Sequence, residues 1–308
     1  MRPVRNGGAV QLKSSAIRPS LWDSAQLRFV RPIRKEPEAM REAITAFLKI
    51  LFPVNFRPSL RATYKRIYYF GFRYKCPFCN SRLRTFLPFG LNFPVLNEKK
   101  VIGGGYRQNG FCPICYSFDR ERLLYLYLLH KTDIFEKPKR LLHVAPEERV
   151  ENILRTRATL DYITADTASK NVMVKMDITD ILFPDDSFDA IICNHVLEHI
   201  IDDGKAMSEL YRTLKPGGWA IMQVPLSLTL KNTYEDFSIT TIRSREEAFG
   251  QGDHVRIYTE EDYQNRLTQA GFKVNVFKWV TEAETFGGRR NVFGLNEEER
   301  VYFVSKHP

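Results

Sequence analysis

The stretch "RLLHVAPEERVENIL", Arg140–Leu154, decides the fold. It reads as a short apolar strand, a turn and an amphipathic helix. Such a turn usually holds a nucleotide-like ligand through glycines that let the backbone come close, and this turn has none. Outward from it, apolar strands alternate with amphipathic helices. The strand candidates are Arg140–Val144, Tyr162–Asp166, Val172–Met176, Ala190–Asn194, Trp219–Pro225, Lys273–Phe277 and Val301–Ser305. The helix candidates are Glu147–Arg157, Asp202–Leu214 and Glu260–Ala270. Alternation of this kind predicts an α/β fold on a mostly parallel sheet.

Upstream the pattern differs. Residues 1–35 carry Arg, Pro, Ser and Gly without periodicity and are expected to be a disordered basic leader. Residues 36–75 read as a helical basic segment, with a helix over Glu36–Phe52 and an aromatic, basic stretch at Leu60–Phe72. That stretch is expected to be a second helix that packs on the chain, the alternative being a membrane surface. A transit peptide finds little support, since Pro3, Gly7, Gly8 and Pro19 interrupt any amphipathic helix. No apolar run approaches the ~20 residues of a membrane span, and a cytoplasmic protein is expected.

Residues 76–138 hold four of the five cysteines as two pairs, "CPFC" at Cys76 and Cys79 and "CPIC" at Cys112 and Cys115. Two such pairs supply four thiolates for a tetrahedral, closed and therefore structural zinc ion. Cys193 reads as a core residue. Arg120 and Arg122, beyond the second pair, could meet an anionic acceptor or pair internally.

Charge is uneven. Residues 1–75 carry 16 Lys+Arg against 4 Asp+Glu, whereas residues 139–308 carry 21 against 27. An anionic partner such as nucleic acid would meet the basic N-terminal third.

The block "DDSFDAIICNHVLEHI", the helix "AMSELYRTLKPGG" and the strand "WAIMQVP" resemble the class I S-adenosylmethionine (SAM)-dependent methyltransferases of the type 11 branch. The resemblance covers about residues 139–308. It implies a Rossmann-like methyltransferase sheet, preceded here by an N-terminal helical and zinc-knuckle module. The chain also resembles an uncharacterised subset of that branch, with "HVAPEE", two upstream CxxC pairs and "GDHVRIY". The family's usual acid and Gly-x-Gly turn fall on His143, Ala145 and Glu147. SAM has no phosphate to admit, so an Ala–Pro–Glu turn can serve. Glu147 or Glu148 could accept from its ammonium.

The resemblance places Asp166 on the ribose and Asp177 and Ile178 beside the adenine, with Asn194 and His195 at the sheet edge. His195 and His254 are the candidate bases, and Arg256 is a candidate contact to an acidic acceptor. The segment Phe249–Tyr263 is expected to form a lid. Glu198 and His199 are expected to pack. The favoured activity is O-methylation of a small-molecule or glycan-type acceptor. An RNA methyltransferase and a non-catalytic SAM-fold binding protein are the alternatives.

Overall fold

The computed structural model describes residues 57–308. The expected leader and the helix over residues 36–52 lie outside the described residues. In chain order, α1 (Arg57–Tyr68) leads into β1 (Phe70–Lys75), which pairs antiparallel with β2 (Arg82–Leu83). β3 (Leu87–Phe89) is followed by α2 (Pro94–Glu98) and β4 (Val101–Ile102). β5 (Arg107–Phe111) then returns to pair antiparallel with β3, and α3 (Asp119–Lys131) follows.

The aromatic helix expected to reach Phe72 therefore ends at Tyr68. From Phe70 the chain is extended, and Gly71 permits the approach, because a Cβ there would lie 2.6 Å from that of Arg84. The expected packing holds only in part. Tyr69 joins the cysteine cluster, but Ile67, Phe70 and Phe72 are exposed.

The main sheet is built from β6 (Lys139–Val144), β7 (Leu160–Asp166), β8 (Val174–Lys175), β9 (Phe188–Cys193) and β10 (Leu214–Ile221), completed by two late strands. Among these, α4 (Glu148–Leu154) follows β6 and α5 (Asp203–Thr213) follows β9. β11 (Leu226–Ser227), β12 (Tyr234–Glu235), α6 (Ile242–Phe249) and β13 (Arg256–Thr259) intervene before α7 (Glu260–Gln269), β14 (Lys273–Phe277) and β15 (Val301–Ser305). The order across the sheet is β14-β15-β10-β9-β6-β7-β8. β15 runs antiparallel to both neighbours, and the other pairings are parallel. All seven strands expected from the sequence are present, in a Rossmann-like sheet of mixed direction.

Near-continuous apolar strands follow from burial on both faces. Leu142, Val144, Ile191 and Cys193 pack against Ala206, Met207 and Leu210 of α5. Leu141, Ala190 and Ile192 pack on the other side against Leu123, Leu124 and Leu128 of α3. A helix from the cysteine-bearing segment thus covers one face of the sheet.

The expected division at residue 138 is crossed a second time. β4 pairs antiparallel with β11, and β11 pairs with β13, giving a cap sheet ordered β12-β13-β11-β4. Val95, Leu96 and Val101 from upstream share a small core with Phe249 and Ile257. The segment expected as a lid is thereby a strand and helix locked into this cap. Among the described residues no helix is long and apolar enough to cross a membrane.

Candidate functional site

The parallel strands end at one edge, and Ala145, Glu147, Asp166, Asn194 and His195 stand at or just beyond those ends. The turn after β6 answers the question its sequence raises. Ala145 adopts φ +47°, the left-handed conformation that glycine would otherwise supply. Its N–H donates to the Ala165 carbonyl (2.8 Å), which fixes the turn against the end of β7. An L-residue in this conformation costs roughly 1–2 kcal/mol. After β9, His195 does the same at φ +54°, with its N–H donating to the Gln223 carbonyl at 2.7 Å. Strained residues at adjacent strand ends are a common mark of a binding edge.

Glu147 is the centre of the first cluster. One carboxylate oxygen meets His143 Nε2 at 2.7 Å, and the other accepts from Asn194 Nδ2 at 3.2 Å. His143 Nδ1 lies 2.8 Å from the Tyr162 hydroxyl. Asn194 Oδ1 accepts from the Gln223 N–H (3.0 Å), tying the ends of β6, β9 and β10 together. Burial pushes the Glu147 carboxyl up, and the opposing hydrogen bond and charge of His143 win, holding it below its ordinary value. His143 itself is fully buried behind Glu147. Expected beside a cofactor, His143 has an enclosed ring, and both its nitrogens are engaged by Tyr162 and Glu147.

Asp166 ends β7. Its Oδ1 accepts from the N–H groups of Ala168 (2.6 Å) and Ser169 (2.9 Å), closing the turn that follows. Asp177 is exposed and accepts from the Thr179 N–H and hydroxyl, while Ile178 beside it is buried. Both therefore sit after the third strand of the edge, as expected.

A second cluster surrounds Glu198, which sits in a short 3₁₀ turn at Leu197–His199. Its Oε1 lies 3.5 Å from His195 Nδ1, 3.9 Å from His199 Nε2 and 4.0 Å from His254 Nε2. Val255 N–H donates to the Glu198 carbonyl, and this holds His254 in place. Burial tends to raise the Glu198 carboxyl, but the hydrogen bond from His195 and the nearby imidazoles bring it down to about 2. Burial and the neighbouring His199 lower His254 to about 4, so its ring is neutral at pH 7. Burial and the Arg120 charge also lower His195. Gly103, in the turn between β4 and β5, presses over His195, and its carbonyl accepts from Arg120.

Arg256 stands elsewhere. Its side chain is fully buried, its Nε donates to Glu235 (2.9 Å), and its remaining N–H groups reach the carbonyls of Leu197, Ile200 and Ile201. Expected as a contact to an acidic acceptor, Arg256 has these internal partners, and its guanidinium locks the 3₁₀ turn to the cap. Arg122 is likewise internal, donating to the carbonyls of Ser117, Asn109, Phe293 and Gly294.

The four module cysteines cluster as their spacing predicts. Cys76 and Cys115 Sγ are 3.5 Å apart, and Cys79 and Cys112 Sγ are 4.0 Å apart. A tetrahedron with ~2.3 Å metal–sulfur bonds has edges of about 3.8 Å, so the donor set fits zinc. The two knuckles share one geometry. Asn80 and Tyr116 both adopt positive φ and donate to the carbonyls of Cys76 and Cys112.

Sequence reasoning missed the grouping of Glu198 and His199 with His254. The i, i+3, i+4 spacing of His195, Glu198 and His199 was an available signal. It also missed Glu299, whose buried carboxyl is pushed up to about 7 by burial and then by Asp119. A surface cavity of about 510 Å³, lined by Tyr127, Lys131, Phe277 and Phe303 among others, contains none of the expected site residues.

A family model described as "Methyltransferase domain" matches residues 111–275. Among curated proteins, the ubiquinone/menaquinone biosynthesis C-methyltransferase of Pectobacterium carotovorum subsp. carotovorum (strain PC1) is 29% identical over 108 residues. That match covers 31% of this chain and 43% of the relative, so the chain spans less than half of the relative's length. A demethylmenaquinone methyltransferase of Clavibacter sepedonicus is 47% identical over 45 residues, covering 15% of this chain and 18% of its own. Among solved structures, the 1,6-didemethyltoxoflavin-N1-methyltransferase of Burkholderia thailandensis is 15% identical with a TM-score of 0.42. It covers 62% of this chain and 78% of its own.

Proposed function

The chain belongs to the methyltransferase-domain family, a SAM-dependent class of enzymes, and on that premise we propose that it O-methylates a small-molecule or glycan-type acceptor. The observation that carries the reading is the convergence of Glu147, Asp166 and Asn194–His195 at the ends of three adjacent parallel strands. Ligands of open α/β sheets bind at that edge. The positive φ of Ala145 supports a working turn despite the missing glycines.

SAM, when bound, supplies an electrophilic methyl group and its own leaving group. Glu147, held ionised by His143 and Asn194, would accept hydrogen bonds from the ammonium. The second oxygen of Asp166 would accept from the ribose hydroxyls. Asp177 and Ile178 would border the adenine, one polar and one apolar. His195, neutral at pH 7, stands where the acceptor would enter and has an unpartnered Nε2 to take its proton. The Gly103 turn over it would exclude water. The four clustered cysteines would hold a structural zinc ion that braces the segment carrying this turn.

The Pectobacterium carotovorum relative is named a C-methyltransferase, and that favours carbon methylation as a second reading. Its discriminating product is a methyl group that resists demethylation. Zinc-replete protein should first be titrated with SAM by calorimetry, then incubated with labelled SAM and fractionated cell extract. Label in small molecules or glycans supports the proposal, and label in RNA replaces it. Absence of SAM binding at millimolar concentration removes it altogether.

A further inference from the structure

We propose that Glu198, His199 and His254 form a second metal site, taking a divalent transition ion such as zinc, cobalt or manganese(II) at the acceptor end of the edge. Four observations carry it. The three donor atoms all lie within 4.8 Å of one another. Glu198 is almost fully enclosed, at 1% exposure, and its Oε2 has no hydrogen-bond partner. A buried carboxylate with an unmatched oxygen costs several kcal/mol unless something positive meets it. The His199 ring is already turned as a ligand, with Nδ1 held by Asp253 (3.3 Å to both its carbonyl and its Oδ2) and Nε2 toward Glu198. Asp253 is held in turn by Gln251 at 2.8 Å. Carboxylate partners of this kind orient metal-bound imidazoles.

The geometry needs little adjustment. Bonds of about 2.1 Å in a tetrahedral set give donor–donor edges of about 3.4 Å. The two imidazole nitrogens stand 3.9 and 4.0 Å from Glu198 Oε1, so each of these two edges closes by roughly half an ångström, and the edge between the imidazoles starts from no more than 4.8 Å. Two imidazoles and one carboxylate favour a borderline transition ion over magnesium or calcium. Three ligands leave positions open, and His195 borders them through Glu198 Oε1. An oxygen of the acceptor fits such a position. That use rests on the proposed function above, whereas binding of the ion does not.

The test uses the full chain with its thiolate site filled by zinc, titrated with Co²⁺ and followed by visible absorption and metal analysis. The expected result is one Co²⁺ per chain beyond the zinc, without thiolate-to-cobalt charge transfer. Glu198→Gln and His254→Ala should abolish this uptake, and Asp253→Asn should weaken it about tenfold. Three results overturn the proposal: no uptake beyond the zinc, uptake only with thiolate charge transfer, or variants that bind as the wild type does. The wild-type titration decides the matter even if a variant fails to fold. A protein that binds SAM but takes up no Co²⁺ loses this site and keeps the proposed function.

Discussion

The cysteine cluster and the Glu198 cluster are both groups of potential ligands, yet they are built in opposite ways. The four cysteines arise from two local knuckles of the same backbone geometry, each closed by its own N–H to carbonyl bond. The hydrogen-bond contacts of their sulfurs are with one another and with the hydroxyls of Ser81 and Ser117. The Glu198 cluster takes two residues from a turn after β9 and one from the cap, 56 positions away, and it leaves a carboxylate oxygen unmatched. The first arrangement is self-sufficient and holds a fold together. The second is incomplete in itself, which is how a binding site differs from a brace.

That contrast breaks first if the cysteines can be lost cheaply. Stripping the metal, or Cys76→Ser with Cys112→Ser, should lower stability by about 10 kcal/mol or unfold the module outright. Thermal unfolding followed by circular dichroism checks this. An unchanged melting temperature would mean that the thiols are an ordinary buried cluster. Arg122 belongs to the same brace, since its buried guanidinium satisfies four carbonyls between the module and the loop before β15. Arg122→Met should cost roughly 3–5 kcal/mol in urea denaturation.

Glu121, in the first turn of α3, gives a pH signature. Its carboxyl is pushed from the ordinary 4.5 up to about 8, chiefly by burial, against the Phe118 N–H that it accepts and with Glu147 adding to the rise. The folded chain therefore keeps a proton that the unfolded chain loses between these values. Stability should fall as pH rises from about 4.5 to about 8, by a few kcal/mol at most. Glu121→Gln should remove that slope, as stability curves measured across the window would show.

At the edge, effects should appear in binding before stability. Glu147→Gln should weaken SAM by roughly 1.5–3 kcal/mol, the range of a hydrogen bond to a charged group. Calorimetry at pH 7 tests this, and an unaltered affinity would move the ammonium elsewhere. The smallest effect is expected at the turn itself. Ala145→Gly relieves the positive φ but frees the unfolded chain, so stability should change by no more than about 1 kcal/mol. A large loss on this change would mean that the alanine methyl, and not the backbone shape, is what the turn requires.

How far the sequence alone reaches varies with the range of the interaction. Alternating apolar strands and helices determined the sheet, because burial on both faces imprints a local pattern on each strand. Paired CxxC motifs determined the thiol cluster, because each knuckle is completed within a few residues. The strand-end positions of Glu147, Asp166 and Asn194 followed from the same periodicity. Only the tertiary structure decided that β4 crosses to join β11, that Arg256 is an internal lock and that His143 supports Glu147 from behind. It alone brought His254 to Glu198 and His199. In each of these cases the partners are distant in sequence. Their meeting depends on how a two-residue strand and a cap are placed over the sheet edge, and no local pattern encodes that placement.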